Sequence, residues 1–163
     1  MAQEFSFDVV SEVDTNEVRN AVNLAQKEIG TRYDFKNSVC RIVLEQDALV
    51  LAADNEGKLR AVVQLLEEKL VRRKVPLKAL QYGKVEAALG GTVRQRVLLA
   101  RGIPEDKVRA MNRLLRREFK KVKVLIQGDS LRVVSASKDE LQAAMRLLRE
   151  EDWGLPLQFT NYR

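Results

Sequence analysis

The chain has 163 residues, of which 45% are hydrophobic and 32% are charged, a composition that excludes disordered and fibrous proteins. It contains no histidine and one cysteine, Cys40, which excludes histidine-based triads, internal disulfides and His/Cys zinc sites. No apolar run approaches the roughly 20 residues needed to span a bilayer, and the start does not have the pattern of a signal peptide. We therefore expect a cytoplasmic protein with no membrane segment, built as one medium domain or two small ones.

The formal net charge of +6 comes from the second half of the chain. Residues 1–80 contain 12 Lys and Arg against 13 Asp and Glu, whereas residues 81–163 contain 17 against 10. Such an excess suggests an anionic partner, although many basic proteins have none.

The first two elements are predicted to be a strand and a helix. Apolar and polar residues alternate over residues 5–10, which is typical of a half-buried strand. Asp14 and Glu17 have the capping-box spacing of a helix start, and apolar residues then recur at helical spacing over residues 18–29. Gly30 is expected to end this helix, because glycine tolerates the left-handed conformation.

The next segment, TRYDFKNS at residues 31–38, has no counterpart in the second half of the chain. Two interpretations of it stay open. In one, the segment is a ligand loop with residues suited to phosphate, ring stacking and base edges, namely Arg32, Lys36, Tyr33, Phe35, Asp34 and Asn37. In the other, it is the start of a strand with one or two aromatic side chains in the core.

Residues 47–69 are repeated at residues 129–151, offset by 82 positions without a gap. Each copy predicts strand, tight turn, strand and helix. A period this long indicates a duplicated domain rather than a solenoid. Between the copies, Gly90-Gly91 predicts a hairpin, and Pro104 is expected in the first turn of a third helix, where its missing N–H costs nothing. Each half then approximates βαββαβ, so we predict an α+β fold of two ferredoxin-like domains in tandem.

The third helix is strongly basic, with about eight cations over residues 107–123 offset by Glu118 alone. This pattern fits either an ordinary solvated helix face or a track for nucleic-acid phosphates. The phosphate contacts in the second case would be Arg109, Arg113, Arg116, Arg117 and Lys120. The strands KVLIQ and LRVVS carry no aromatic pair, which disfavours sequence-specific RNA recognition.

The sequence favours a protein without catalytic activity, cofactor or metal. It contains neither a GxxxxGK[ST] phosphate loop nor a GxGxxG motif. Its carboxylate pairs, such as Glu67-Glu68, are typical of a solvated helix surface, although an enzyme that uses carboxylates and lysine alone stays open.

Four stretches of the sequence resemble the YajQ family of small bacterial nucleotide-binding proteins. They are SFDVVSEVD at residues 6–14, EVRNAVNLAQKEIGTRYDFKNS at 17–38, GGTVRQRVLLARGI at 90–103, and the C-terminal part at 126–150 and 155–163. The resemblance implies that the two domains exchange their leading strands. The first domain would then comprise residues 11–89 with a strand near 92–101, and the second residues 102–163 with a strand near 4–10.

The resemblance also implies a function. YajQ-like proteins are described as binding nucleotides, with some implicated in cyclic di-GMP signalling and others in RNA binding. One hypothesis is therefore a non-enzymatic sensor that binds cyclic di-GMP or another guanine nucleotide and signals to a regulatory protein partner. Its candidate contacts are Arg32, Asp34, Phe35, Lys36, Arg132 and Gln158. The alternative hypotheses are an RNA- or tRNA-binding module that uses the third helix, and an adaptor that contacts other proteins.

Overall fold

The structure, a computed structural model, describes residues 3–163, which form eight strands and four helices. The strands are β1 (Phe5–Val10), β2 (Arg41–Leu44), β3 (Ala48–Ala53), β4 (Leu80–Ala87), β5 (Val93–Leu99), β6 (Lys123–Gln127), β7 (Ser130–Ser135) and β8 (Gln158–Thr160). The helices are α1 (Thr15–Thr31), α2 (Glu56–Arg72), α3 (Glu105–Glu118) and α4 (Lys138–Glu150). Over this part of the chain, no helix combines the length and apolar character that crossing a membrane requires.

The strands and helices are divided between two compact units. Residues 13–100 make the first unit, and residues 3–12 together with 101–163 make the second. Each unit contains a four-stranded antiparallel sheet and two helices. The α+β fold of two ferredoxin-like domains is thus confirmed.

In the first unit the sheet has the strand order β2-β3-β5-β4, and α1 and α2 cover one face of it. The apolar stripe of α1 packs with α2 and with alternate residues of β3, and side chains such as Leu49, Leu51, Leu66 and Leu70 are fully excluded from solvent. This packing fixes both ends of the segment that connects α1 to β2.

In the second unit the sheet has the order β6-β7-β1-β8, so the first strand of the chain lies in the interior of a sheet built from the last third. β1 pairs with β7 along one edge and with β8 along the other. Phe7 and Val9 enter the core, and the intervening Asp8 is buried on the opposite face. The predicted alternation of apolar and polar residues is therefore present in β1, although both faces of this strand are largely buried.

The structure reproduces the 82-residue offset of the repeat. β3 begins at Ala48 and β7 at Ser130, while α2 begins at Glu56 and α4 at Lys138. Leu66 in α2 and its counterpart Leu148 in α4 are both fully buried.

Two predictions about the ends of α1 have different outcomes. Asp14 caps the helix, because its Oδ1 accepts hydrogen bonds from the backbone N–H groups of Asn16 and Glu17 at 3.0 and 3.4 Å. The prediction for Gly30 is wrong, since the helix continues to Thr31 and Gly30 keeps a negative φ. Left-handed glycines do shape other turns, namely Gly90 and Gly91 between β4 and β5 and Gly128 between β6 and β7.

Candidate functional site

The α1–β2 turn, residues 32–36, separates the two aromatic side chains of the RYDFK motif. A 3-10 turn at Tyr33–Phe35 follows α1 directly. Phe35 is 3% exposed and belongs to the core, whereas Tyr33 is 87% exposed. The stacking role that the sequence suggested for Phe35 does not fit a ring enclosed in this way. Tyr33 is the exposed aromatic ring of the turn.

Arg32 and Asp34 form a two-point ion pair within this turn. Arg32 Nη2 lies 2.7 Å from Asp34 Oδ2, and Arg32 Nε lies 3.0 Å from Oδ1. The hydrogen bond from Arg32 lowers the pKa of the Asp34 carboxyl, and the same bond raises the pKa of Arg32. Both charges therefore persist at neutral pH. Any phosphate that binds Arg32 must compete with this carboxylate.

Two lysines lie beside the pair. Lys36 is exposed and follows the 3-10 turn in extended conformation. Lys58, in the first turn of α2, donates through Nζ to the backbone oxygen of Asp34, and its ammonium lies 5.9 Å from the centroid of the Phe35 ring. No sequence pattern indicated Lys58, because it is 24 positions from Asp34 and the fold alone brings the two together.

A buried lysine of α2 is linked through Glu28 to the charged residues of the turn. Lys69 of α2 is 5% exposed, and its Nζ contacts Glu28 Oε1 at 2.9 Å. This hydrogen bond is the main cause of the lowered pKa of Glu28, whose other oxygen lies 3.5 Å from Arg32 Nη1. A continuous series of opposite charges thus runs from the α1–α2 interface to the surface at Asp34, and it orients the Arg32 guanidinium.

Arg132 and Gln158, the other two nucleotide-contact candidates, belong to the second unit and already have structural partners. Arg132 Nε lies 2.9 Å from Asp8 Oδ1, across the β7–β1 pair. Asn161 Nδ2 donates to the other Asp8 oxygen at 2.8 Å, and the pKa of Asp8 is lowered chiefly by Arg132. Gln158 binds both backbone groups of Glu12, at 2.9 and 3.2 Å. These side chains hold β1 in place.

The basic helix α3 turns an apolar face, Val108, Met111 and Leu115, to the core of the second unit. The arginines on its other faces are exposed, whereas Lys107 is half-buried and donates through Nζ to the backbone oxygen of Trp153. Two of the five predicted phosphate contacts have acidic neighbours, Arg109 with Glu105 and Arg117 with Glu118. The other three, Arg113, Arg116 and Lys120, form no ion pair with any residue of the described chain, 3–163.

Comparison with known proteins places the chain in a family. Residues 5–163 match the family model described as nucleotide-binding protein YajQ-like. A nucleotide-binding protein of Desulfitobacterium hafniense (strain DSM 10664 / DCB-2) is 51% identical over 163 residues, covering both chains completely. A nucleotide-binding protein of Bacillus cereus (strain B4264) is 49% identical over the same length and coverage. The chain belongs to the YajQ family.

In this YajQ-family chain, the structure brings Arg32, Asp34, Phe35 and Lys36 together on one turn and adds Lys58 to them. It places Arg132 on β7 and Gln158 on β8, the two strands that flank β1 in the second unit's sheet. Among residues 3–163, no group of three or more acidic or cysteine side chains is arranged to hold a metal ion. The site that results is polar and cationic with one exposed aromatic ring.

Proposed function

We propose that this protein binds a nucleotide at the α1–β2 turn and acts as a non-enzymatic regulator. The observation that carries the proposal is Tyr33, whose ring is 87% exposed although Phe35 of the same turn is packed in the core. A large aromatic ring that contributes nothing to the core and is flanked by cations suits a stacked base with its phosphate. The relatives are named nucleotide-binding proteins, which supports the same class of ligand.

The ion pair of Arg32 and Asp34 gives this turn a mechanism for exchanging an internal partner for a ligand. A ligand phosphate takes the guanidinium of Arg32 away from Asp34, and Lys36 adds a second charge. Asp34 is then released to accept N–H groups from a base edge, which favours guanine. The polar groups of the free protein therefore satisfy each other until the ligand replaces them.

A cyclic dinucleotide of the cyclic di-GMP type is the ligand we propose for this turn, as the family resemblance suggests. It would present two phosphates and two guanine bases, of which the turn engages one of each. Arg132 and Gln158 are secondary candidates, because Arg132 is 40% exposed and retains free guanidinium donors. A regulatory protein partner would then distinguish the nucleotide-bound protein from the free protein.

Calorimetric titration of cyclic di-GMP at low and at physiological salt tests the proposal. We expect saturable binding at both salt concentrations, and a loss of about tenfold or more when Arg32→Ala is combined with Tyr33→Ala. Arg19→Ala is the matched control, since Arg19 is an exposed arginine of α1 whose contact is Asn16 at 3.2 Å. Equal binding by the double variant and the control would refute the assignment of the turn.

A second candidate function is RNA binding by α3 and the residues just after it, favoured by Arg113, Arg116 and Lys120, which are exposed and form no ion pair within residues 3–163. Contacts of this kind depend on counterion release, so affinity should fall steeply with salt. Arg113→Glu with Arg117→Glu should weaken RNA binding and flatten its salt dependence, while cyclic di-GMP binding stays unchanged. RNA affinity unaffected by this double variant would exclude α3 as the contact surface.

A further inference from the structure

A groove of about 450 Å³ lies between α2 and the sheet of the first unit, and no residue assigned above lines it. It arises because α2 packs on β3 and β5, whereas β4 is buried at Leu80 and exposed from Gln81 to Ala87. The helix layer thus leaves the inner side of an edge strand uncovered. A space of this volume is in the range of small-molecule sites.

A β-bulge in β4 shapes one wall of the groove. The register of β4 against β5 shifts between Tyr82 and Val85, so that both side chains line the groove. Gly83 lies within this bulge, and a Cβ atom there would be 2.8 Å from the backbone oxygen of Arg96. Gln95 Nε2 donates to the oxygen of Gly83 at 2.9 Å. The wall is therefore a fixed part of the sheet.

The lining combines apolar surface with one oriented carboxylate. Leu59 and Val63 of α2 and Val85 of β4 supply the apolar part. The Tyr82 hydroxyl donates to Glu67 Oε1 at 2.8 Å. Burial, reinforced by this carboxylate, raises the pKa of Tyr82, so the phenol remains a donor. Glu67 Oε2 accepts no hydrogen bond from the residues that the structure describes, and it is open to a ligand.

We propose that this groove binds the guanine base of a nucleotide, with Glu67 accepting hydrogen bonds from the N1–H and N2–H groups of the base. The planar ring packs against Leu59, Val63 and Tyr82. Arg60 also lines the groove and is exposed, so it can pair with the phosphate. None of the lining residues belongs to the α1–β2 turn, and the groove is a separate recognition site in the same unit.

The carboxylate selects guanine over adenine. Guanine presents two adjacent donors on this edge, which match the two oxygens of a carboxylate. Adenine presents a donor beside the N1 lone pair, which would face the negative charge of Glu67. A matched hydrogen-bonded pair contributes roughly 1–3 kcal/mol of discrimination between bases, equivalent to about 5- to 150-fold in affinity.

Titration of GMP and of AMP into the full chain tests the proposal. We expect GMP to bind about tenfold or more tightly than AMP, and Glu67→Gln to lose this preference, because the amide places a donor against the donors of guanine. The matched control is Glu68→Gln, at the next position of α2, where the exposed carboxylate pairs with Arg72 at 3.2 Å instead of lining the groove.

Glu67→Gln removes the carboxylate and also changes the partner of Tyr82, so a second variant is needed to separate these two effects on GMP binding. Val63→Phe fills the groove from α2 without changing Tyr82 or Glu67, and we expect it to abolish GMP binding while the chain remains folded. The proposal is overturned if the native chain binds neither nucleotide or shows no preference for GMP. It is also overturned if both variants bind GMP like the native chain. If the Arg32→Ala, Tyr33→Ala double variant loses GMP binding and the groove variants keep it, then the turn is the binding site and the proposal for the groove is refuted.

Discussion

At the scale of single residues, Gly83 is the position where side-chain size matters most to the groove. A methyl group there would meet the backbone oxygen of Arg96 at 2.8 Å. We expect Gly83→Ala to lower the free energy of unfolding by about 1–3 kcal/mol, because β4 and β5 must separate to accommodate it. Urea denaturation measures this difference.

Gly30 provides the opposite case for the same substitution. It lies inside α1, with nothing within 4 Å of an added Cβ atom. Gly30→Ala should therefore raise the free energy of unfolding by roughly 0.4–1 kcal/mol, since alanine reduces the entropy of the unfolded chain. Equal effects of the two alanines would contradict the bulge geometry.

Asp8 should make stability depend on pH in the acid range. Its hydrogen bond with Arg132 lowers the folded-state pKa below the ordinary value of 3.8. The stabilisation is then fully present above that ordinary value, and it is lost as pH falls through the lower, folded-state pKa. Urea midpoints between pH 7 and 2 should decline over this interval in the native chain. Asp8→Asn should be less stable at pH 7 and should show a smaller decline.

Residue types in RYDFK predicted the chemistry of the turn but not the direction of its side chains. Tyr33 and Phe35 are two positions apart, and a strand would place both on one face. The structure forms a 3-10 turn, which buries Phe35 and exposes Tyr33. Lys58 was beyond sequence reasoning for a related reason, because only tertiary packing brings α2 to this turn.

At the scale of elements, the N-terminus of α2 links stability to the candidate site. Asn55 caps the helix by accepting from the backbone N–H of Lys58 at 2.8 Å, and Lys58 in turn contacts Asp34. Asn55→Ala should cost about 1 kcal/mol of stability and weaken cyclic di-GMP binding, since the first turn that positions Lys58 frays. Thermal unfolding and calorimetry together measure the two effects.

The matched control is the cap of α4 in the second unit. Ser137 accepts from the backbone N–H of Glu140 at 3.2 Å, in the same geometry. Ser137→Ala should cost a similar amount of stability and leave cyclic di-GMP affinity unchanged. Equal loss of affinity in both variants would show that binding follows general stability instead of the position of Lys58.

Periodicity alone predicted the helices, the hairpins and the duplication, because each of these depends on residues close in sequence. The 82-residue offset is visible in the apolar positions of α2 and α4. The partner of a strand cannot be read in this way, since the alternation in β1 suits an adjoining sheet of either unit. The family resemblance supplied the exchange of strands, and the pairing of β1 with β7 and β8 is what the structure contains.

At the scale of the whole molecule, this topology predicts different behaviour for two fragments. Residues 13–100 contain all four strands of one sheet and both helices that cover it. Residues 101–163 lack β1, which lies between β7 and β8 and contributes Phe7 and Val9 to the core. We therefore expect the first fragment to fold alone and the second to remain unfolded, because its β7 and β8 have no strand to join them.

Adding a peptide of residues 3–12 should restore folding of the second fragment, residues 101–163. The peptide supplies two apolar side chains to the core and the Asp8 carboxylate to Arg132. Circular dichroism of residues 101–163 with and without the peptide measures the recovery, and a peptide with Phe7→Asp and Val9→Asp is the control that cannot enter the core. Cooperative unfolding of residues 101–163 without the peptide would contradict this dependence. It would mean that β8 can pair directly with β7 and that β1 is dispensable for the sheet.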